Sequence, residues 1–402
     1  LFSAKINGVF KRLELTERAE ICSFVAVMRR YLIIFTLFLA AKAAFAAPSE
    51  PTIRVAVVNT PASVTIEADG GGLLQINDAA SRSVSKGRIA TIVAGGESGL
   101  RVNGRASGTK EVVIQSKAEI FRIGTRTFRG TLRAVQNGNR IIVVDDIPIE
   151  TYLVGLINSE ISSSWPAEAI KAQAVAARTY AMNQTDRIRR ARPDSSYDME
   201  STMMDQVYDG AHREEAHVYR IVEATRGQVL KKNGAIFPAF YHSCCGGMTE
   251  HAHNVWSDAE GSPPVEDRYC ERSPKRLWSY KLSRAEFQKL LAAANVTMSS
   301  ITSITTVPLF DSPRVDTVVV ETTSGTQNVK ATELRKILGY ANVKSTWFEV
   351  NLAGKNIVFN GRGYGHGVGM CQLGAKGMAE EGHAYTDILK FYYPDAEIVT
   401  IY

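Results

Sequence analysis

Long apolar runs, cysteine and net charge are all scarce in this 402-residue chain, and each scarcity removes a class of protein. The most apolar stretch, Tyr31 to Ala41, is too short to cross a bilayer comfortably. No repeat of fixed period is visible, which disfavours a solenoid or a propeller. No G-x-S-x-G elbow is present, so a Ser-His-Asp hydrolase is poorly supported. No Gly-Lys-Ser/Thr follows a glycine loop, and Gln372 stands where a G-x-G-x-x-G would need its last glycine, so neither nucleotide motif fits. Five cysteines are few, and none falls in the paired C-x2-C or H-x3-H spacing that makes a zinc assignment strong.

The formal charge of +6 also shrinks on inspection. Met28, Arg29 and Arg30 precede the apolar run, and Ala44-Phe45-Ala46 follows it just before Pro48. That is the order of a secretory signal peptide over 28–46, with a basic start, a greasy middle and a small-x-small cleavage site. Residues 1–27 are then expected to be an upstream leader. Without residues 1–46 the count falls from 47 basic and 41 acidic residues to 40 and 38, a charge of +2. A chain so close to neutral gives no support for nucleic-acid binding by bulk charge. The dense cluster Arg187, Arg189, Arg190 and Arg192 reads as the solvated end of a helix or as a contact for an anionic wall polymer. Export also puts the remaining Cys244, Cys245, Cys270 and Cys371 in a compartment that permits disulfides.

The expected fold class is α+β: a β-rich N-terminal region over 52–144, then a mixed α/β core over 145–402. Between Thr52 and Val144 short runs such as IRVAVV, EVVIQS and RIIVV alternate apolar and polar residues between Gly, Asn and Asp turns. The pattern changes at Pro148. Glu150 to Ile161 and Pro166 to about Ile188 carry helical periodicity, with Pro166 suited to the first turn of the second helix. Ile170, Ala174, Ala177 and Ala181 form a small-residue stripe that admits a close neighbour. A helix at Arg213 to Thr225, the strands GQVLKKN and AIFPAFY, a helix at Ser283 to Ala293 and a short one at Lys330 to Leu338 follow.

Glu160 is the leading candidate for chemistry. Leu153, Leu156, Ile157 and Glu160 share one helical face, so the acid lies where the apolar stripe would continue and should be partly desolvated. A desolvated carboxyl keeps its proton to higher pH and can act as a general acid. A helix-end carboxylate in a structural ion pair is the competing reading. Arg178 likewise reads either as a group orienting an anionic or carbonyl part of a substrate or as a surface arginine.

Two further segments stand out. Residues 242–278 are too long for a simple turn and hold His242, Cys244, Cys245, His251, His253 and Cys270. Cys245 with Cys270 is the preferred disulfide, since both flank the loop and adjacent cysteines cannot readily bridge to each other. Zinc held by His242, Cys245 and Cys270 is the alternative, and Cys371 is expected to be a buried free thiol. In GRGYGHGVGMCQLGAKG, residues 361–377, an extended chain would set Arg362, Tyr364, His366, Val368 and Met370 on one side and glycines on the other.

Taken in order, IETYLVGLINSEISSSWPAEAIKAQAVAARTYA at 149–181, DQVYDG at 205–210, GQVL at 227–230, AFYHSCCGGMTE at 239–250, VW at 255–256 and the glycine-rich stretch 361–394 resemble the stage II sporulation protein D/LytB family of bacterial cell-wall proteins. The resemblance covers about 250 residues. It implies a lytic transglycosylase acting on peptidoglycan glycan strands that have lost their peptides. The family's catalytic acid maps onto Glu160 and its supporting arginine onto Arg178, with Gln173, Tyr364 and His366 carried more weakly into a substrate cleft. Glu160 would protonate the oxygen between N-acetylmuramic acid and N-acetylglucosamine, then take the proton of the muramyl 6-hydroxyl, giving a 1,6-anhydro product. One carboxylate serves both steps, and no second carboxylate of the kind a two-acid glycosidase needs is evident in the sequence.

Other members are amidase enhancers, so a wall-binding protein that stimulates a cell-wall amidase is the alternative. The implied setting is the periplasm, cell wall or exterior. Some members carry a His and two Cys before the Gln-x-Tyr motif as a zinc site; RPDSSYDMESTMMDQVY has neither residue type, so that site and any cofactor are expected to be absent.

Overall fold

The computed structural model describes residues 49–402, apart from 62, 69, 77–81, 85–86, 117–119, 203–204, 212–213, 272 and 274–275. The expected leader, signal peptide and Cys22 lie outside the described residues. Glu50–Ile401 forms a single compact unit.

The first part of this unit is built of strands, as the alternation requires. Ile53, Val55 and Val57 point inward from strand Thr52–Thr60, and Val64, Ile66 and Ala68 from strand Val64–Ala68. Seven strands form one sheet, in the order Met199–Glu200, Thr52–Thr60, Arg140–Pro148, Thr131–Asn137, Glu111–Ser116, Gly72–Ile76 and Arg82–Val84. Six others, from Arg126–Phe128 to Arg105–Ala106, form a second. Strand Arg140–Pro148 is central, and Ile141 to Val144 are all buried. The edge strand Met199–Glu200 comes from the later, helical part of the chain and pairs in parallel with Thr52–Thr60. Asp198, beside it, accepts from Arg54 and Arg189. The arginine cluster is therefore divided: Arg189 ties its helix to the sheet, while Arg190 pairs with Asp186 on the surface.

Strand Arg140–Pro148 runs directly into helix α1, Ile149–Glu160, with Pro148 at its N-cap. Pro166 caps α2, Ala167–Ala191, rather than lying inside its first turn. The fixed φ of proline suits both starts. The predicted stripe Ile170, Ala174, Ala177 and Ala181 is fully buried. Helix α3, Ala216–Glu223, is shorter than its periodicity suggested. Helices α4, Arg284–Ala293, and α5, Ala331–Leu338, pack with two three-stranded sheets around Phe287, Leu291, Leu334, Val318 and Phe359, a satellite core of their own. Among the described residues no helix is long and apolar enough to cross a membrane.

Two helices were not anticipated, α6, Gln372–Glu380, and α7, Tyr385–Tyr392. The glycines of QLGAKGMAE weaken its helical signal, yet Gly374 is required where it stands. A Cβ there would lie 2.0 Å from the Tyr392 hydroxyl and 2.2 Å from Asp267 Oδ2. The extended, alternating reading of 361–370 is corrected as well. Regular strand ends at Arg362, and Gly363, Gly365, Gly367 and Gly369 all take positive φ, which turns the chain at every second residue. A short parallel pairing of Tyr241–His242 with Met370–Cys371 then carries it into α6.

Candidate active site

Glu160 ends α1, and two elements distant in sequence close over it. The Val207 N–H donates to its Oε1 at 3.0 Å, and the Gln372 amide stands 3.5 Å from its Oε2. Gly155 makes the first contact possible. One turn before Glu160, any side chain there would collide with Gly210 O at 2.7 Å and Tyr208 at 2.8 Å, pushing the loop of Val207 outward. Burial pushes the Glu160 carboxyl above the usual carboxylate range, and the Val207 and Gln372 donors pull it partly back. Neither polar contact to its carboxylate, among the described residues, is a cation. The structural ion-pair reading therefore does not describe Glu160.

Gln372 links two predicted residues. Its Nε2 also lies 3.5 Å from Gln173 Oε1, while the buried Gln173 Nε2 has no hydrogen-bond partner among the described residues. That donor is available beside the acid. Below it, the Tyr152 hydroxyl donates to Gln206 Oε1 at 2.8 Å, and Gln206 Nε2 donates to the Tyr241 hydroxyl at 2.9 Å. Burial, then the charge of Glu160, pushes both tyrosines well above their ordinary range, so they stay neutral. Sequence reasoning gave no site role to Tyr152, Gln206, Tyr241 or Gln372, although each lies inside a motif that carries the family resemblance.

Arg178 is placed otherwise. It is fully buried on α2, where its Nε and Nη2 form a fork with Glu150 at 2.9 and 2.6 Å, and its Nη1 donates to Gln228 O at 3.0 Å. The surface reading is corrected by this geometry: Arg178 is buried, and its Nε, Nη2 and Nη1 contacts tie α2 to α1 and to strand Gln228–Lys232. Glu150 is the carboxylate with the buried ion pair, ten residues before the one suspected of it.

His366 is also fully engaged. The Val368 N–H donates to its Nδ1 at 3.1 Å, so Nε2 carries the proton and donates to Tyr241 O at 2.9 Å. Burial, with the His242 ring second, pushes the imidazole well below its usual range. His366 thus braces the Tyr241 backbone rather than presenting a free nitrogen. His242 is neutral too, pushed down to about 3 by burial and then by Arg314. The Tyr364 backbone pairs with Cys244, and Lys344 lies 5.6 Å over its ring; no hydrogen bond among the described residues joins it to Glu160. Beside His366, Trp256 stacks on Phe240 at 4.6 Å and keeps 38% of its surface exposed.

The loop 242–278 is pinned rather than free, through bridges of Cys244 to Tyr364, Met248 to Glu266 and Glu250 to Val368. Its cysteines do not arrange as expected. The Cys270 sulfur lies 3.2 Å from Cys244, while Cys245 turns to Asp267 at 3.1 Å. Cys371 is buried and free, as expected, and its sulfur joins the same cluster, while the His242 Nε2 is not part of it and has no hydrogen-bond partner among the described residues.

With this geometry in view, known proteins are informative. The profile described as stage II sporulation protein matches residues 137–231, which include Glu160, Gln173, Arg178 and Gln206. The stage II sporulation protein D of Bacillus amyloliquefaciens is 32% identical over 63% of this chain and 75% of its own length. The chain belongs to the stage II sporulation protein D family. An uncharacterized protein of Brachyspira hyodysenteriae is 33% identical over 75% of this chain and 80% of its own. The amidase enhancer of Bacillus subtilis is 31% identical over 62% of this chain and 40% of its own length. A second profile, described only as a domain of unknown function, matches residues 270–369 and thus spans the satellite core.

Proposed function

We propose that this protein is an exported peptidoglycan lytic transglycosylase in which Glu160 is the sole acid and base. The observation that carries the reading is the Glu160 carboxyl itself: half-buried, raised in pKa, and held by an amide N–H and a glutamine rather than by a cation. A protonated Glu160 delivers its proton to the glycosidic oxygen between N-acetylmuramic acid and N-acetylglucosamine. The resulting carboxylate, stabilised by Val207 N–H and Gln372, takes the proton of the muramyl 6-hydroxyl as that oxygen attacks the anomeric carbon. The proton thus returns to Glu160 with the 1,6-anhydro ring closed, and no water is consumed. The unpartnered Gln173 Nε2 is suited to a sugar oxygen, and the exposed Trp256 face to stacking on a sugar ring.

Incubating the mature protein and Glu160→Gln with peptide-free glycan strands tests this reading by mass spectrometry. Anhydro-ended sugars are expected from the wild type alone. Their absence from the wild type, or equal release by the variant, overturns it.

One observation favours a second reading, the likeness to an amidase enhancer. In that role the surface around Glu160 holds glycan without cutting it and the protein raises the activity of a cell-wall amidase. Amidase turnover with and without this protein distinguishes the two, since a stimulation that survives Glu160→Gln belongs to binding rather than cleavage.

A further inference from the structure

Four side chains from three separate segments meet in the buried centre of the core below α6. Cys245 follows strand Tyr241–His242, Asp267 caps the turn Arg268–Cys270, Cys270 closes that turn, and Cys371 caps α6. Their sulfur and carboxylate atoms all lie within 4.8 Å of one another, and none of the four is more than 1% exposed. We propose that Cys245, Asp267, Cys270 and Cys371 form a zinc site that fastens the start of α6 to the loop 242–278.

Three observations support this set. The first is its donor chemistry: three thiols and one carboxylate suit a tetrahedral zinc ion, whose bonds of about 2.0–2.3 Å place neighbouring ligand atoms roughly 3.5–4 Å apart. The cluster would have to open the Cys245–Asp267 pair from 3.1 Å, and none of its pairs is wider than 4.8 Å.

The second is the direction of the surrounding hydrogen bonds. Cys371 Sγ accepts from Cys245 N at 3.2 Å and Gly374 N at 3.3 Å, and Cys245 Sγ accepts from Gly247 N at 3.4 Å. Backbone N–H groups aimed at sulfur suit thiolates, the form that binds metal. Asp267 is oriented in the same manner, its Oδ1 by Tyr269 N and Cys270 N and its Oδ2 by the Tyr392 hydroxyl. Gly374 exists as glycine because that carboxylate and hydroxyl fill the space of its Cβ.

The third is charge. Arg314 is 1% exposed and donates to Cys245 O at 2.9 Å, yet its Nε and Nη1 have no hydrogen-bond partner among the described residues, and Glu250 stands 3.7 Å away. Zinc with three thiolates and one carboxylate carries two net negative charges. Such a centre gives the buried guanidinium a counter-charge that Glu250 alone supplies incompletely. Binding would release the three thiol protons to solvent.

Cys244, 3.2 Å from Cys270, is the group that competes. A Cys244–Cys270 disulfide, formed by an external thiol oxidant that accepts two electrons and two protons, would remove Cys270 from the set. The zinc and disulfide forms are mutually exclusive, and the assignment is independent of whether Glu160 cuts glycan.

The test uses the full chain produced with zinc in the medium and desalted without chelator. Elemental analysis should find about one zinc per chain. Cys244→Ser should keep it, and Cys371→Ser should lose it while native mass spectrometry and circular dichroism report whether the chain remains folded. Iodoacetamide should label Cys245, Cys270 and Cys371 only after a chelator is added. A metal-free protein with a Cys244–Cys270 linked peptide, stoichiometric iron, or loss of zinc in Cys244→Ser would each overturn the assignment. Should Cys371→Ser unfold, the Cys244→Ser and alkylation results still decide.

Discussion

Gln372 and Glu160 are 212 residues apart in the chain, and the Gln372 amide stands 3.5 Å from a Glu160 carboxylate oxygen. Helix α6 therefore sets the environment of the acid on α1. Because this donor favours the charged form of Glu160, removing it raises an already raised pKa. Gln372→Ala should shift the basic limb of the pH–rate profile for glycan cleavage to higher pH, where a general acid stays protonated longer. A limb that stays in place, measured as kcat/KM against pH, would separate Gln372 from Glu160.

Glu160 also makes a stability prediction. Its folded pKa is raised above the unfolded value, so the protonated form is favoured by folding. That contribution is fully present below the ordinary carboxylate pKa of about 4.3 and is lost as pH rises through the raised folded pKa. At neutral pH the ionised acid is a cost to the fold. Glu160→Gln keeps an acceptor for Val207 N–H without the charge, and should unfold at a higher denaturant concentration than wild type at pH 7, the gap closing toward pH 4. Chemical unfolding at the two pH values measures it.

Arg178 and Glu150 form a buried fork, with Nη2 and Oε2 2.6 Å apart. Removing one partner strands a buried charge, at a cost of about 3–5 kcal/mol. Arg178→Ala should therefore lower the unfolding midpoint strongly, and Glu150→Gln should do so as well. An arginine serving only the substrate would lose activity while keeping wild-type stability.

Gly155→Ala should act on the site from beneath. The added methyl meets Gly210 O at 2.7 Å and Tyr208 at 2.8 Å, both parts of the loop that carries Val207. Overpacking of this kind costs roughly 1–3 kcal/mol. The displaced Val207 N–H should also weaken the carboxylate form of Glu160, so that stability and kcat fall together in paired unfolding and turnover measurements.

Trp256→Ala should raise KM for glycan strands more than it lowers kcat. In the proposed role the 38%-exposed indole stacks on a sugar, and among the described residues no hydrogen bond joins it to Glu160, so the loss should fall on binding. An unchanged KM with reduced kcat would remove it from the glycan path.

Local pattern alone determined a large part of this protein. Two-residue alternation placed the strands from Thr52 onward, and 3.6-residue spacing placed α1 and α2 and set Glu160 on the apolar face. Periodicity reports which side of an element is buried, and for Glu160 that sufficed. It carries no information about which distant element does the burying. Arg178 and Glu150 each look like surface charges until α1, α2 and strand Gln228–Lys232 are packed together. Gln372 is an ordinary polar residue until α6 approaches Glu160, and α6 itself is hidden by Gly374, which abuts Asp267 and Tyr392, and Gly377, which abuts Tyr269. The same holds for the thiols. Spacing favoured Cys245 with Cys270, whereas tertiary packing set Cys270 against Cys244 and brought in Cys371 from 126 residues beyond Cys245. Hydrogen bonds and sulfur contacts act over a few ångströms in space, and only the folded backbone decides which residues come within that reach.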